Sequence, residues 1–553
     1  MHKKIKSAAA LAALLCVFAA ARYVAGELVA PDDSSFMNDD SVDAVSTIDA
    51  INTVEAVDTV DAVFACDYSD KATVLPAPTA QKLPRWKGFN LLYFFNTTSF
   101  KPVDEATFRR IASFGFNFVR LPIDYRCLIV DGDWYELDEK ALLEIDKALE
   151  FGKKYDIHIC LNLHRAPGYT VASPPEKTDL WRQPEPQEAF ARMWGAFAKR
   201  YRNVPSEYLS FNLVNEPPDI DEALYANVAG KAANAIWAQD PDRIVIADGL
   251  AYAVKPSKTL ADLGLAQATR GYQPFNLTHY KAEWVNNADA YPPPAWPDYM
   301  LPMYLYGYAK NDIRSIYDIE YDFTEAYTLD INVGVVSDKA RLIVKADGDE
   351  VYNRLFISGA GTGEWKTAVY AAEWNIYQNV FDRDYRVEIP AGTKRLTIEV
   401  GGGDWMSVNG MKFAPASGAG KTFTISPNNA DWGAAIPPLK VDRDGRLITD
   451  DKYMQNGRWL RETYLAPWEE LARGGCGVFV GEWGAYNKTP HDVVLRWMED
   501  CLVNFDEAGV GWALWNFDDA FGVLDSGRAD VAYENYEGHK LDRKMLELLQ
   551  KYL

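Results

Sequence analysis

From Lys87 onward the chain alternates short apolar runs with longer stretches in which apolar residues recur every three or four positions. The first pattern suits buried strands, the second amphipathic helices that turn one face to a core. KGFNLLYFF, FNFVRLPI, HICLNLHR, YLSFNLVNE, RIVIADG, PFNLTHY, GVFVGEWG and GVGWALWNF are the eight expected strands, starting near residues 88, 116, 158, 208, 243, 274, 477 and 510. VDEATFRRIASFG, DEKALLEIDKALEFGKKYD and QEAFARMWGAFAKRYRN read as helices between them, and KLDRKMLELLQKYL closes the series. Eight alternating units predict an α/β fold, a (β/α)8 TIM barrel.

The sixth unit breaks the rhythm. Between its strand and its helix, GRWLRETYLAPWEELARGG, residues 312–415 switch to short alternating runs: AYTLDINVGV, KARLIVKA, NRLFISGA, YRVEIP, KRLTIEV and MSVNGMKFA. Gly and Asp separate these runs and no long amphipathic helix interrupts them, which predicts an all-β sandwich inserted in the loop after strand six. The barrel is then expected over 81–311 and 416–553. A loop that follows a barrel strand lies on the face where (β/α)8 active sites are built, so the insert is expected beside the cleft.

The N-terminus changes the picture of where the chain works. MHKKIK followed by SAAALAALLCVFAAARYVAG is a basic stretch, a short apolar run and small residues, which predicts a signal peptide over 1–25 and export to the outside or the cell surface. An uncleaved N-terminal anchor is the alternative, and no other membrane contact is expected. Residues 26–80 contain SVDAVSTIDAINTVEAVDTVDAV, acidic and without aromatics, and read as a disordered linker. The formal charge of −22 argues against a nucleic-acid partner, which needs clustered Lys and Arg. Cys66, Cys127, Cys160, Cys476 and Cys501 form neither a disulfide framework nor a metal motif. A monomer is expected. Most of the aromatics, 17 Trp among them, are expected in the core, and an excess of Trp also suits stacking on sugar rings.

Polar residues fall at the C-terminal ends of the expected strands: Asn90, Arg120, His164, Asn215 with Glu216, His279, Glu482 and Trp515. All would then share one rim. Two carboxylates there suit glycoside hydrolysis, in which one acid protonates the leaving oxygen and one carboxylate attacks or activates water. That chemistry needs no metal and no cofactor, and His164 and His279 lack the spacing of a zinc motif.

FNFVRLPI, LNLHRAPG, FNLVNEPP, FVGEWGAY and GWALWNF resemble, in order, the strand-end motifs of glycoside hydrolase family 5, cellulase-type members of the clan with acids on strands four and seven. The resemblance spans Lys87 to Leu553 apart from the insert, which resembles a carbohydrate-binding module in general form. It implies Glu216 as general acid/base and Glu482 as nucleophile of a retaining double displacement. It also implies Arg120 as the counter-charge of Glu482, Asn215 on the sugar 2-hydroxyl, Asn90, His164 and His279 around the substrate, and Trp515 as its stacking floor. The implied substrate is β-1,4-glucan or a related plant cell-wall polysaccharide or oligosaccharide. Mannan, xyloglucan or an exo-acting β-glucosidase are the alternatives within the family, and a carbohydrate-binding protein without turnover is the alternative outside it. One motif departs from the family pattern of His, any residue, then Tyr on strand six, because NLTHYKAEW puts Tyr280 directly after His279. Adjacent strand residues face opposite ways, so Tyr280 needs a bulge to enter the site, or another aromatic takes its place.

Overall fold

The computed structural model describes residues 63–68 and 74–553, save Asn287, Ala419, Asp431 and Thr449. The expected signal peptide and most of the expected linker lie outside these residues. Two compact units emerge among them, a barrel formed before residue 283 and after residue 459, and a β-rich unit between.

The barrel has eight strands: β1 (Lys87–Asn90), β2 (Phe118–Asp124), β3 (His158–Ala166), β4 (Leu209–Val214), β5 (Ile244–Asp248), β6 (Ala266–Gly271), β7 (Val478–Trp483) and β8 (Gly511–Leu514). Each pairs in parallel with the next, and β8 returns to β1, which closes the sheet. The helices between strands begin where an Asp side chain accepts the free backbone N–H groups of the first turn, as Asp104, Asp138 and Asp221 do.

Strand six differs from expectation. PFNLTHY is not a strand: Pro274 caps a single helical turn, Phe275–Thr278, and β6 is the preceding AQATRG. The physical reason lies in the barrel interior, where space is tight and Ala266 and Ala268 face inward. Small residues at those positions give a weak apolar signal, so the more apolar segment downstream reads as the strand.

Every second residue of a strand faces the interior, and its character changes along the axis. Phe118, Cys160, Ile246, Ala266, Ala268, Phe479 and Ala513, with Trp86 beneath them, form one apolar cluster. One step further toward the strand ends the same faces carry Arg120, Asn162, Asn212, Asp248 and Arg270, all buried. The interior is thus an apolar plug capped by a polar layer.

The second unit contains the strands expected at 312–415 but reaches beyond them on both sides. Tyr304–Tyr306, Phe423–Ile425, Leu439–Val441 and Leu447–Ile448 join the same hydrogen-bonded network, which has ten strands among the described residues. Its spine is the antiparallel pairing of Tyr327–Ala346 with Arg395–Pro415. Along Tyr327–Ala346 buried and part-exposed residues alternate, and Leu329, Ile331, Leu342, Val344, Ile398 and Phe413 meet in one core. At its base Asp298–Tyr299 pairs with Met454–Gln455, bringing the two ends of the segment together.

The last part of the expected linker is folded onto the barrel. The Phe64 N–H donates to the Arg200 carbonyl at 2.9 Å with its ring against Tyr201, and the Tyr68 hydroxyl donates to the Leu149 carbonyl at 3.2 Å. The two aromatics of residues 63–68, Phe64 and Tyr68, supply that anchoring.

Candidate active site

Two local irregularities decide what the rim displays. Register between β6 and β7 shifts between Val480 and Glu482, and the shift sets Glu482 directly opposite Arg270. Such a bulge re-aims one side chain, and without it Gly481 would hold the inward position. A β-carbon on Gly481 would come 3.0 Å from Arg270 Nη1, so glycine leaves the room that the guanidinium occupies. On the other side of the barrel, Asn215 and Glu216 leave the end of β4, and Glu216 takes a left-handed backbone with φ 48°. That conformation is uncommon outside glycine and costs energy that the surrounding contacts must supply.

Glu482 is only 3% exposed. Its Oε1 accepts from Arg120 Nη1 at 2.6 Å and lies 3.2 Å from Arg270 Nη2, while Oε2 accepts from the Tyr272 hydroxyl at 3.1 Å. Burial, and the negative charges of Glu482 and Glu216, push the Tyr272 phenol well above its usual value, so it remains a donor. Arg120 also donates to Asn90 Oδ1 at 3.0 Å, Asn212 Oδ1 at 3.0 Å and Asn215 Oδ1 at 2.9 Å.

Glu216 sits in a different field. Its Oε1 accepts from Arg270 Nε at 2.9 Å, and its side chain is 17% exposed. Burial and the neighbouring Glu482 charge push its carboxyl up to about 7 against the pull of Arg270. Its backbone is held at both ends: the N–H donates to Asp248 Oδ2 at 2.9 Å and the carbonyl accepts from the Tyr169 hydroxyl at 2.5 Å. Arg270 Nη2 also reaches Asp248 Oδ2 and donates to Asn215 Oδ1 at 2.7 Å. Burial alone works against the Arg270 charge, but Asp248, Glu482 and Glu216 outweigh it and hold the guanidinium more firmly protonated than usual.

The expected residues divide into three groups. Arg120, Asn215, Glu216 and Glu482 come together as read. Asn215 has both guanidiniums on Oδ1, and its buried Nδ2 has no partner among the described residues, which leaves a donor for a ligand oxygen. His164 and Trp515 meet at 5.6 Å between ring centroids beside Phe95, with Trp515 partly exposed at the mouth. Burial and the Arg120 and Arg270 charges push the His164 imidazole well below its usual value, so it is neutral.

Asn90, expected to touch substrate, has both of its amide donors engaged within the protein. It is fully buried, its Nδ2 donates to the Gly481 and Leu514 carbonyls, and its Oδ1 is taken by Arg120, so it braces that arginine instead. His279 follows the helical turn rather than riding on strand six, stacks on Phe275 at 3.8 Å and meets the edge of Tyr272 at 5.3 Å. Its ring backs Tyr272. Tyr280 is buried with Lys281 over its ring, and the tyrosine hydroxyl bonded to Glu482 is that of Tyr272.

These contacts can be set beside known proteins. The family model described as cellulase (glycosyl hydrolase family 5) matches residues 76–289. That stretch carries β1 to β6 with Asn215 and Glu216. Endoglucanase C of Acetivibrio thermocellus is 34% identical over 193 residues, which is 34% of this chain and 56% of the relative. Cellodextrinase A of Ruminococcus flavefaciens is 28% identical over 191 residues, 33% of this chain and 55% of the relative. The chain therefore spans a little over half the length of these curated relatives. A solved structure described as a glycoside hydrolase is 27% identical, with a TM-score of 0.54, covering 85% of this chain and 99% of that one. The family-5 resemblance read from the strand-end motifs is supported by these matches.

The strand-six departure from the family-5 pattern now has a different form. With β6 ending at Gly271, the strand-end text is Arg270, Gly271, Tyr272, and Tyr272 holds the place expected of the family tyrosine. Arg270 stands where the pattern has histidine. Asp248, Arg270 and Tyr272 were not among the residues singled out from sequence. The signal that would have found Arg270 and Tyr272 is the same His-x-Tyr spacing read with arginine in first place; Asp248, at the end of the preceding strand, has no such signal.

Proposed function

We propose that the chain is a retaining glycoside hydrolase of cellulase type, acting on β-1,4-glucan or a related oligosaccharide or polysaccharide, with Glu216 as acid/base and Glu482 as nucleophile. The observation that carries this reading is the difference between two neighbouring carboxyls. Glu482 lies between two guanidiniums and a phenol hydroxyl, whereas Glu216 is pushed up to about 7. Pairs of carboxyls whose environments separate them in this way divide into proton donor and nucleophile.

In the first step a Glu482 oxygen bonds to the anomeric carbon, the glycosidic C–O bond breaks, and the Glu216 proton passes to the departing oxygen. In the second, Glu216 takes a proton from water as the water oxygen bonds to the same carbon and the Glu482 ester is released. Asn215 Nδ2 is the donor placed for the sugar 2-hydroxyl. Trp515 offers its ring to the sugar face. The names endoglucanase and cellodextrinase carried by two relatives favour a β-1,4-glucan.

The test is hydrolysis of a panel of β-glucan, mannan, xylan and xyloglucan by the folded protein, with the anomer of the first-formed product read by proton NMR. Turnover with retained configuration is expected. No hydrolysis of any substrate overturns the enzyme reading, and an inverted product overturns the role of Glu482.

A further inference from the structure

We propose that Arg270 and Asp248 form a positioning pair for Glu216, in which Asp248 fixes its backbone, Arg270 fixes one carboxyl oxygen, and their opposite charges cancel beside it. The proposal rests on the acid/base reading of Glu216 and adds what sets its geometry and its proton.

The pair grips Glu216 at two points. Asp248 Oδ2 accepts the Glu216 N–H at 2.9 Å, at the residue whose left-handed φ of 48° needs an external tether. Arg270 Nε donates to Oε1 at 2.9 Å, which leaves the other carboxyl oxygen for the departing group. Asp248 is itself fixed from below, since its Oδ1 accepts from Asn212 Nδ2 at 3.0 Å, and Asn212 Oδ1 accepts from Arg120. The acid is thus tied through buried side chains to the counter-charge of Glu482. A planar guanidinium presents several donors in a fixed fork, so one Arg270 can serve Glu216, Asp248, Glu482 and Asn215 together.

Charge balance supports the same assignment. The buried cluster holds three carboxyls, Glu216, Asp248 and Glu482, and two guanidiniums, Arg120 and Arg270. It is neutral when it carries one proton, and a buried cluster avoids net charge. Transfer of that proton to the leaving group accompanies loss of the Glu482 charge in the covalent ester, so the total stays at zero through both steps. Arginine, unlike a neutral histidine, is always charged, and in place of the family histidine it requires an added anion. Asp248, the last residue of β5, is that anion.

Several other groups face Glu216 from the elements packed around it. Tyr169 after β3, Tyr252 after β5 and Tyr272 after β6 are all raised, with burial the largest cause. His164 on β3 is neutral. Glu482 on β7 and Arg120 on β2 face the cluster from the far side.

The experiment compares wild type with Asp248→Asn, Arg270→Met and the double variant. The readouts are the basic limb of kcat/KM against pH and the titration of the Glu216 carboxyl by NMR of 13C-glutamate-labelled protein, assigned through Glu216→Gln. Asp248→Asn leaves the Arg270 charge uncancelled and is expected to move the midpoint down by about one pH unit or more; Arg270→Met leaves Asp248 uncancelled and is expected to move it up by a similar amount. The double variant is expected to return it toward wild type. An unmoved midpoint in Asp248→Asn, or two single variants shifting in the same direction, overturns the proposal. If the single variants do not fold, Arg270→Lys decides: the charge is kept and the fork lost, so the midpoint should hold while kcat falls. A shifted midpoint there counts against the pair. Absence of turnover in wild type would remove the enzyme reading, and the carboxyl titration would still judge the pair.

Discussion

Glu216 is the residue on which the chemistry turns. Replacing it by alanine should lower kcat/KM by about 10²- to 10⁴-fold on substrates with poor leaving groups, the usual worth of a positioned general acid. Substrates with very good leaving groups should keep their first step, and azide should restore turnover of the intermediate. Kinetics on a series of aryl glycosides of graded leaving-group acidity checks this, and equal losses across the series would remove Glu216 from the acid role. The pH dependence follows from the same carboxyl. Its folded-state value of about 7 lies above the ordinary 4.5, so the folded protein keeps a proton that the unfolded chain releases between those values. Stability contributed by that proton is fully present below about 4.5 and is lost as pH rises toward about 7. Activity should fall above about 7, where the acid form disappears. Thermal melts from pH 4 to 8 should show Glu216→Gln losing less stability across that window than wild type. Tyr272→Phe removes a donor from Glu482 and should lower kcat, whereas Tyr280→Phe should leave it near wild type; the reverse result would restore Tyr280 to the site.

At the scale of elements, several strands were legible in sequence from a polar residue on or near the end of an apolar run. Arg120 in FVRLPI, His164 in LNLHR, Glu216 in NLVNEPP and Glu482 in GEWG fall where the pattern puts them. β6 was not legible, because its apolar inward positions are the alanines Ala266 and Ala268, which give a weak signal. The segment after β5 was equally hidden. Ala251, Tyr252 and Ala253 all have positive φ, near 52°, 60° and 61°, and nothing in LAYA signals a left-handed turn. The Tyr252 N–H donates to the Pro217 carbonyl at 2.7 Å, so this turn braces the chain just past Glu216. A left-handed alanine costs roughly 1–2 kcal/mol. Ala251→Gly should therefore be neutral or stabilising by up to about 1 kcal/mol, while Ala232→Gly, inside the helix Glu222–Trp237, should destabilise by about 1 kcal/mol. Chemical denaturation of the two variants checks the contrast, and equal losses would argue against the left-handed turn.

At the scale of the molecule, the β-rich unit from 283 to 459 has its own core and its ends meet in the ladder between Asp298–Tyr299 and Met454–Gln455. Those are the properties of a segment that folds by itself. Expressed alone, it should unfold in one cooperative transition, matched by one of two transitions in calorimetry of the full chain. A segment without a cooperative transition would mean that its core depends on the barrel. The repeating strand and helix periods determined the barrel, the place of the interruption and the strands that carry Glu216 and Glu482, because periodicity and strand ends are local properties of a chain. Only the tertiary structure decided which charges touch. The one-step register shift beside Gly481 turns Glu482 inward, and the closure of the sheet brings Asp248, Arg270 and Tyr272 against the two glutamates. Those contacts join residues far apart in sequence, where no local pattern records them.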